Sequence, residues 1–326
     1  MFNYKTNVLA VLNQKGGVGK TTTVTVLAEY GALVWKMMER NQTRSARILV
    51  VDLDMQCNTS DYFVGMETSP QSRGGQLPPS HPDYDGSDDL SERSTIADVF
   101  YGKMVLPHTI KLADKNRSVE IDVIVGHPKE LEDINEAFDS ASGEIDRKVV
   151  NRLGDLLHCD EVAESYDLVI LDTGPSRNPI FRSALRAATH VVVPFEPEEK
   201  SLQGINAMAQ AITAENFNRN TGQPKVKVVG LLPNKVRIGV PLHKNNLKMI
   251  RENLPSLSMP EGVYLPLSIA FPKRDVKGVV PKSIFNIKSS DSTRKKSENV
   301  CEYVYSSIFS SMSSKAKTQK SEPLEA

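Results

Sequence analysis

The chain predicts an α/β fold, a mostly parallel twisted sheet of about seven or eight strands flanked by helices. Three observations carry this reading. Short apolar runs recur along the sequence and alternate with helix-compatible stretches. Two of those runs end in a carboxylate, where open α/β sheets place their ligand-binding residues. A third run ends in a glycine-rich turn that opens a helix. The 326 residues suffice for one large domain of this kind.

The first strand is expected at Val8–Leu12, and a helix-permissive run follows from Thr21 to Met38. Between them lies Lys15-Gly16-Gly17-Val18-Gly19-Lys20-Thr21-Thr22. Strand, glycine turn and helix in that order make a phosphate-binding loop. The glycines let the backbone curl so that its N–H groups face an anion, and the helix start adds free donors and a positive dipole end. Lys20 would reach the β- and γ-phosphates of a nucleotide and the Thr21 hydroxyl would sit on Mg²⁺. The general pattern asks for a glycine six residues before Lys20, where this chain has Gln14; a second lysine, Lys15, follows it.

The next strand, Ile48–Leu53, delivers Asp52 and Asp54 in the run Asp52-Leu53-Asp54-Met55-Gln56-Cys57-Asn58. From Glu67 to Glu92 the chain is rich in Pro, Gly, Ser and Asp, which predicts a mobile surface insertion at 67–92. Regular structure should resume at Ser94–Phe100. Further strands are expected at Val119–Val125, Leu168–Leu171, His190–Val193 and Val226–Leu232, with a shorter one at Val263–Leu265. Leu168–Leu171 leads into Asp172-Thr173-Gly174, and Val226–Leu232 leads into Pro233-Asn234-Lys235. Val300, Tyr303, Val304, Ile308 and Met312 recur near helical spacing, which fits a core-covering terminal helix; a membrane-targeting helix behind Arg294-Lys295-Lys296 is the alternative. One domain over 1–312 and a disordered polar tail at 313–326 follow.

Bulk properties narrow the partners. Lys+Arg and Asp+Glu both number 40, so any basic face must be a local patch. The three cysteines, Cys57, Cys159 and Cys301, are isolated and give neither a disulfide framework nor metal-cluster spacing. No apolar run reaches a membrane span, and the start of the chain runs into the first strand without a signal peptide, so a cytoplasmic protein is expected.

The run Lys15–Thr22 resembles the deviant phosphate loop of the ParA/MinD group of P-loop NTPases, and is closest to the Soj-like ParA partition ATPases. The resemblance extends from Lys5 to about Tyr305, the insertion excluded. It implies an ATPase with ATP and Mg²⁺ as cofactors, a homodimer formed with ATP, and slow basal turnover. Lys15 would cross the dimer interface to the partner's nucleotide, as an arginine finger supplied in trans does. Asp54 would orient the attacking water, Asp52 would support the Mg²⁺ shell and Asp172 would be the Walker B acid. Met55 and Cys57 replace the family's usual proline and glycine, and Gly174 departs from its D-x-P-P pattern. Asn234 would contact adenine.

By the same resemblance the ATP state would bind DNA without regard to sequence, and a ParB-like adaptor would stimulate hydrolysis and release. A nucleoid-associated location follows. Lys235, Arg237, Lys273 and Arg274 are the candidate DNA contacts, within a wider set that includes Lys244, Lys248, Arg251, Lys277 and Lys282. The arginines that the family carries in its I-P-R-N-V-R region are Leu267 and Ala270 here. No operator-binding helix-turn-helix is expected ahead of the first strand, and no membrane partner. The alternatives are a MinD-like membrane-associated positioning ATPase and a ParA-like scaffold for a protein cargo. A ligase of the dethiobiotin-synthetase kind shares the fold, and Lys15 speaks against it.

Overall fold

Strands that read as unbroken apolar runs should be covered on both faces, and four of them are buried at every residue. The structure, a computed structural model, describes residues 2–39, 42–69, 75–114, 117–139, 143–276 and 283–318. In chain order the first strands are β1 (Val8–Val11), β2 (Lys36–Glu39), β3 (Gln42–Ser45) and β4 (Ile48–Leu53). Then come β5 (Glu67–Thr68), β6 (Gln76–Leu77), β7 (His108–Asp114) and β8 (Arg117–Ile124). The last are β9 (Leu168–Thr173), β10 (His190–Phe195) and β11 (Lys227–Pro233).

Seven of these form one sheet in the order β11-β10-β1-β9-β4-β8-β7. Its strands are parallel except β7, which runs antiparallel to β8 at the edge. β1 lies between β9 and β10, and the chain leaves it first toward β4 and later returns on its other side. The crevice above β1 is therefore a switch point of the kind that receives ligands in open α/β sheets.

The helices are α1 (Lys20–Leu33), α2 (Asn58–Phe63), α3 (Ile96–Tyr101) and α4 (Pro128–Phe138). They continue with α5 (Gly143–Leu157), α6 (Asp160–Ser165), α7 (Pro179–Ala187) and α8 (Ser201–Asn218). α9 (Pro241–Asn253), α10 (Ala270–Arg274) and α11 (Ser292–Thr318) complete the set. β1 divides its side chains between two apolar layers, as the two-residue period of a strand requires. Val8, Ala10 and Leu12 join residues of α3, α4, α5, α7 and α8. Leu9 and Val11 join residues of α1 and α11.

α11 is the core-covering helix of the two readings open in the sequence. Val300, Cys301, Val304 and Tyr305 are fully buried, and the Tyr305 hydroxyl donates to the Leu27 carbonyl at 2.9 Å. Its backbone continues past residue 312 to Thr318, so the expected tail begins in helix; residues 319–326 lie outside those described.

Other expectations are corrected. The helical run to Met38 stops at Leu33, where the Val34 and Trp35 N–H groups both bond to the Tyr30 carbonyl. Met37 turns inward and β2 pairs with β3, a ribbon fastened by a two-pronged contact from Arg44 to Asp167 at 2.5 and 2.8 Å. Val263–Leu265 makes no strand: it contributes the Leu265 N–H to the Pro233 carbonyl beside the isolated Val236–Pro266 bridge. β7 was not expected. Of the 67–92 segment, 70–74 lie outside the described residues; the rest is tied back by the β5–β6 pairing and by His81, buried against His108 with ring centroids 4.4 Å apart.

α1 and α11 approach closely at Gly31, where an added Cβ would stand 2.1 Å from the Tyr305 hydroxyl and 2.7 Å from Ile48 Cδ1. Gly31→Ala should cost about 1–3 kcal/mol of stability by overpacking, read as a lower urea midpoint at unchanged slope. A midpoint equal to that of the parent chain would show that this contact does not set the α1–α11 distance.

Candidate nucleotide site above the central strand

The loop after β1 takes the shape its glycines permit. Gly17 and Gly19 have φ of +75° and +83°, in the region that favours glycine. A Cβ at Gly16 or Gly17 would meet nothing within 4 Å, and both glycines are exposed, so the loop backbone there is free to approach a ligand. At Gly19 a Cβ would lie 2.2 Å from Asn234 Nδ2. That amide donates to the Val18 and Gly19 carbonyls at 2.8 and 3.3 Å, and its Oδ1 accepts from the Lys235 N–H at 2.8 Å. Asn234 is 2 % exposed. Asn234 thus braces the end of β11 against the start of α1.

Lys20 is buried at the first position of α1, with its ammonium 3.5 Å from the Lys15 carbonyl. Burial pulls its pKa down, and the charges of Asp172 and Asp54 oppose that shift. Thr21 is next on the helix and donates its hydroxyl to Asp172 Oδ2 at 2.7 Å. Thr59, in the first turn of α2, donates to the same oxygen at 2.7 Å. Asp172 Oδ1 is buried without a hydrogen-bond partner. Thr22 follows Thr21 in α1 and its carbonyl accepts from the Thr25 hydroxyl at 3.1 Å.

Asp52 stands beside Asp172 in strand register and is equally buried. Its Oδ2 accepts from the Ser60 N–H at 2.8 Å and the Ser60 hydroxyl at 2.7 Å, and its Oδ1 accepts from the Asp54 N–H at 3.2 Å. Both oxygens are therefore committed to protein donors. The expected support of a Mg²⁺ shell becomes an indirect one: Asp52 fixes the start of α2. Burial raises the pKa of both carboxyls, and their mutual charge adds to the effect on Asp52. Asp54 is 8 % exposed at the strand end, and its Oδ1 accepts from the Gln56 N–H at 3.1 Å. A Cβ on Gly174 would lie 3.5 Å from that oxygen, an ordinary contact, so the two strand ends lie next to each other.

Cys57 holds φ +49° where the related pattern has glycine. Its N–H and thiol both point to the Asp54 carbonyl, at 2.9 and 3.3 Å, and its sulfur packs where a Cβ on Gly126 would stand. The turn thus survives the substitution by burying the thiol.

Lys15 is half exposed at the mouth of the loop, and its ammonium pairs with Glu198 at 2.5 Å. Lys235, expected to face DNA, pairs instead with Glu196 at 2.7 Å and reaches the Gly17 carbonyl at 2.5 Å. Arg274 is a second correction: it is 5 % exposed, with its guanidinium 3.0 Å from buried Glu29. Arg237 and Lys273 are exposed; Lys277 and Lys282 lie outside the described residues. Thr59, Ser60, Glu196 and Glu198 are the site residues that sequence reasoning missed. The signal for the first two was their place directly after Asn58, at a helix start facing two carboxylates.

The donor set fits MgATP. Thr21 and the orphaned oxygen of Asp172 are hard oxygen ligands suited to Mg²⁺, which keeps several waters and takes few protein ligands. The open cradle at Gly16 and Gly17, with Lys20 beneath it, suits a polyphosphate. Among the described residues no group of three or more His, Cys, Asp or Glu could hold a metal alone, and no helix is long and apolar enough to cross a membrane.

Known proteins agree with this geometry. A family model described as an AAA domain matches residues 6–223. The chromosome-partitioning ATPase Soj of Thermus thermophilus is 30 % identical over 232 residues, 71 % of this chain and 70 % of that protein. Protein IncC of Escherichia coli is 29 % identical over 270 residues, 82 % of this chain and 60 % of IncC. An uncharacterized protein of Methanocaldococcus jannaschii is 25 % identical over 306 residues, 92 % of this chain and 99 % of that one. Two solved structures share the fold. The ATP complex of a Cyanothece McdA variant has a TM-score of 0.66 at 16 % identity, covering 93 % of this chain and 96 % of McdA. The pNOB8 ParA structure with nonspecific DNA has a TM-score of 0.60 at 19 % identity, covering 94 % and 99 %. With its phosphate loop, paired carboxylate strands and sheet order accounted for, the chain belongs to the ParA/MinD-type P-loop ATPases.

Proposed function

We propose that this protein is an ATP-dependent dimerising switch ATPase for plasmid or chromosome partition, which binds DNA non-specifically in its ATP state and is released by adaptor-stimulated hydrolysis. The observation that carries this is the contrast between its two loop lysines. Lys20 is buried under the loop, whereas Lys15 sits half exposed at the mouth and pairs with a surface glutamate. A buried cation can serve its own chain's phosphates; an exposed one is placed to serve a second subunit's.

Bound MgATP supplies the scissile phosphoanhydride and a divalent charge that offsets it. The chain's residues would divide the remaining work. The N–H groups of Gly16 to Thr22, with Val18 in the wall, and the Lys20 ammonium would hold the phosphates. Thr21 and Asp172 would hold the cation, with Thr59 keeping the carboxylate oriented. Asp54, near the mouth and close to Gly174, would orient the attacking water. Soj and the DNA-bound ParA support partition and non-specific DNA as the task. Arg237 and Lys273 remain as exposed DNA contacts of the four expected.

One observation favours a second reading, the same switch carrying a protein cargo. Ile238, Leu242, Leu267 and Ile269 are 62, 56, 45 and 83 % exposed. The Leu267 N–H donates to the Val236 carbonyl, which brings the position of a family arginine, Leu267 here, next to the residue before Arg237.

Four outcomes test the proposal. Lys20→Ala should abolish ATP binding, while Asp54→Ala should bind ATP and dimerise but hydrolyse at least about tenfold more slowly, as expected for an aligning group. Tight binding by the first or full turnover by the second would remove that residue from its role. Glu198→Gln removes the charge that holds Lys15 and should increase ATP-dependent dimer formation in analytical ultracentrifugation, an effect absent when Lys15→Ala is added; an unchanged dimer fraction would detach Lys15 from association. DNA binding should require ATP and fall with salt at a slope of about −0.9 per phosphate neutralised, shallower by about 1 in Arg237→Ala. Retention of DNA equally with ADP, or no DNA binding at all, would turn the assignment to the protein-cargo reading.

A further inference from the structure

α2 is only six residues long, too short to hold its place without tertiary anchors. Its first turn carries Thr59 and Ser60, which bind Asp172 and Asp52. Its second turn carries Tyr62, whose hydroxyl donates to Glu29 Oε1. Glu29 lies in the middle of α1 and is 1 % exposed. Its other oxygen accepts from Arg274 at 3.0 Å and from the Ser283 hydroxyl at 2.8 Å. Arg274 gives a further N–H to Thr25 on α1 at 3.1 Å, and its guanidinium lies 5.2 Å from the Tyr62 ring centroid. One buried carboxylate thus gathers the helix of the phosphate loop, the helix that holds both site carboxylates, and the C-terminal segment around α10.

A buried ion pair of this kind adds little net stability over an apolar pair of equal volume, because desolvation offsets the attraction. What it supplies is a fixed geometry, since each donor has one direction in which it satisfies the carboxylate. We propose that Glu29, Arg274 and Tyr62 form a positioning hub that sets α2, and through Thr59 and Ser60 sets the cation site and the turn at Asp54. Tyr62 and Arg274 also line a cavity shared with Thr21 and Asn58; their hydrogen bonds run to Glu29 and Thr25 on α1, and this is the route by which they set α2. The hub links the Arg274 and Ser283 side chains to the chemistry, so displacing either of them would change turnover. The inference rests on the ATPase reading for its effect on turnover and on geometry alone for its effect on α2.

The test uses the full chain with two variants. Tyr62→Phe removes one donor and keeps the ring. Glu29→Gln combined with Arg274→Met removes the charges together, so that no lone ion is left buried. Both should lower turnover about 10- to 100-fold while ATP affinity stays within about twofold, the pattern of a misplaced catalytic set. Both should also speed amide hydrogen exchange in residues 52–63 relative to the parent, with exchange in β1 and β10 unchanged. Tyr62→Phe covers the case in which the double variant fails to fold. Parent-like exchange over 52–63, or equal losses of affinity and turnover, overturns the hub. If the parent chain itself hydrolyses no ATP, the functional reading falls, and the exchange comparison still decides whether the hub positions α2.

Discussion

Asp52 and Asp172 stand side by side on neighbouring parallel strands, both wholly buried, and among the described residues neither makes an ion pair. Two carboxylates so placed resist joint ionisation, since burial and mutual repulsion both favour the protonated form. The surrounding residues answer this constraint. Ser60 and the Asp54 N–H satisfy Asp52; Thr21 and Thr59 satisfy one oxygen of Asp172 and leave the other unpartnered. Lys20 lies near enough for its charge to matter to Asp172. The asymmetry separates the roles. A carboxylate with both oxygens hydrogen-bonded serves as a bracket, and one with an unpartnered buried oxygen is suited to a cation.

Much of the fold was legible because the buried strands obey the rule that made them readable. Ile48–Leu53 is bounded as its apolar run predicts, and its neighbours differ by a residue or two at their ends. β7 escaped because an edge strand with one covered face reads as Thr-Ile-Lys-Leu alternation, a weaker signal than an unbroken run. The end of α1 was lost for a different reason. Nothing in Val34 to Met38 forbids helix locally; what turns the chain is the remote grip of Arg44 on Asp167, which fixes the β2–β3 ribbon. Within the site, the phosphate loop was legible because its glycines and lysines act through local backbone shape. Arg274 was misread because its partner, Glu29, is more than two hundred residues away in sequence. A cation in a sequence gives no sign of whether an acid awaits it in the core.

The two lysine–glutamate contacts at the loop mouth show how nucleotide state can reach the surface. Lys15 pairs with Glu198 and Lys235 pairs with Glu196, and both acids belong to the short link between β10 and α8. The same link receives the Asn246 side chain from α9 at the Pro197 carbonyl, 3.0 Å away. On the proposed reading a second subunit's triphosphate would compete with Glu198 for Lys15 and repel that acid, because it carries the same sign of charge as the ligand. These pairs are exposed enough that neither is worth much energetically, so the competition favours the ligand. The link would then relax where α8 and α9 begin, and α9 begins beside Arg237, Ile238 and Leu242. On the proposed reading, the loop's own cations report the nucleotide to the face that meets the cargo. The buried Glu29 hub, by contrast, is shielded from that competition and would hold the carboxylate side of the site constant while the lysine side changes.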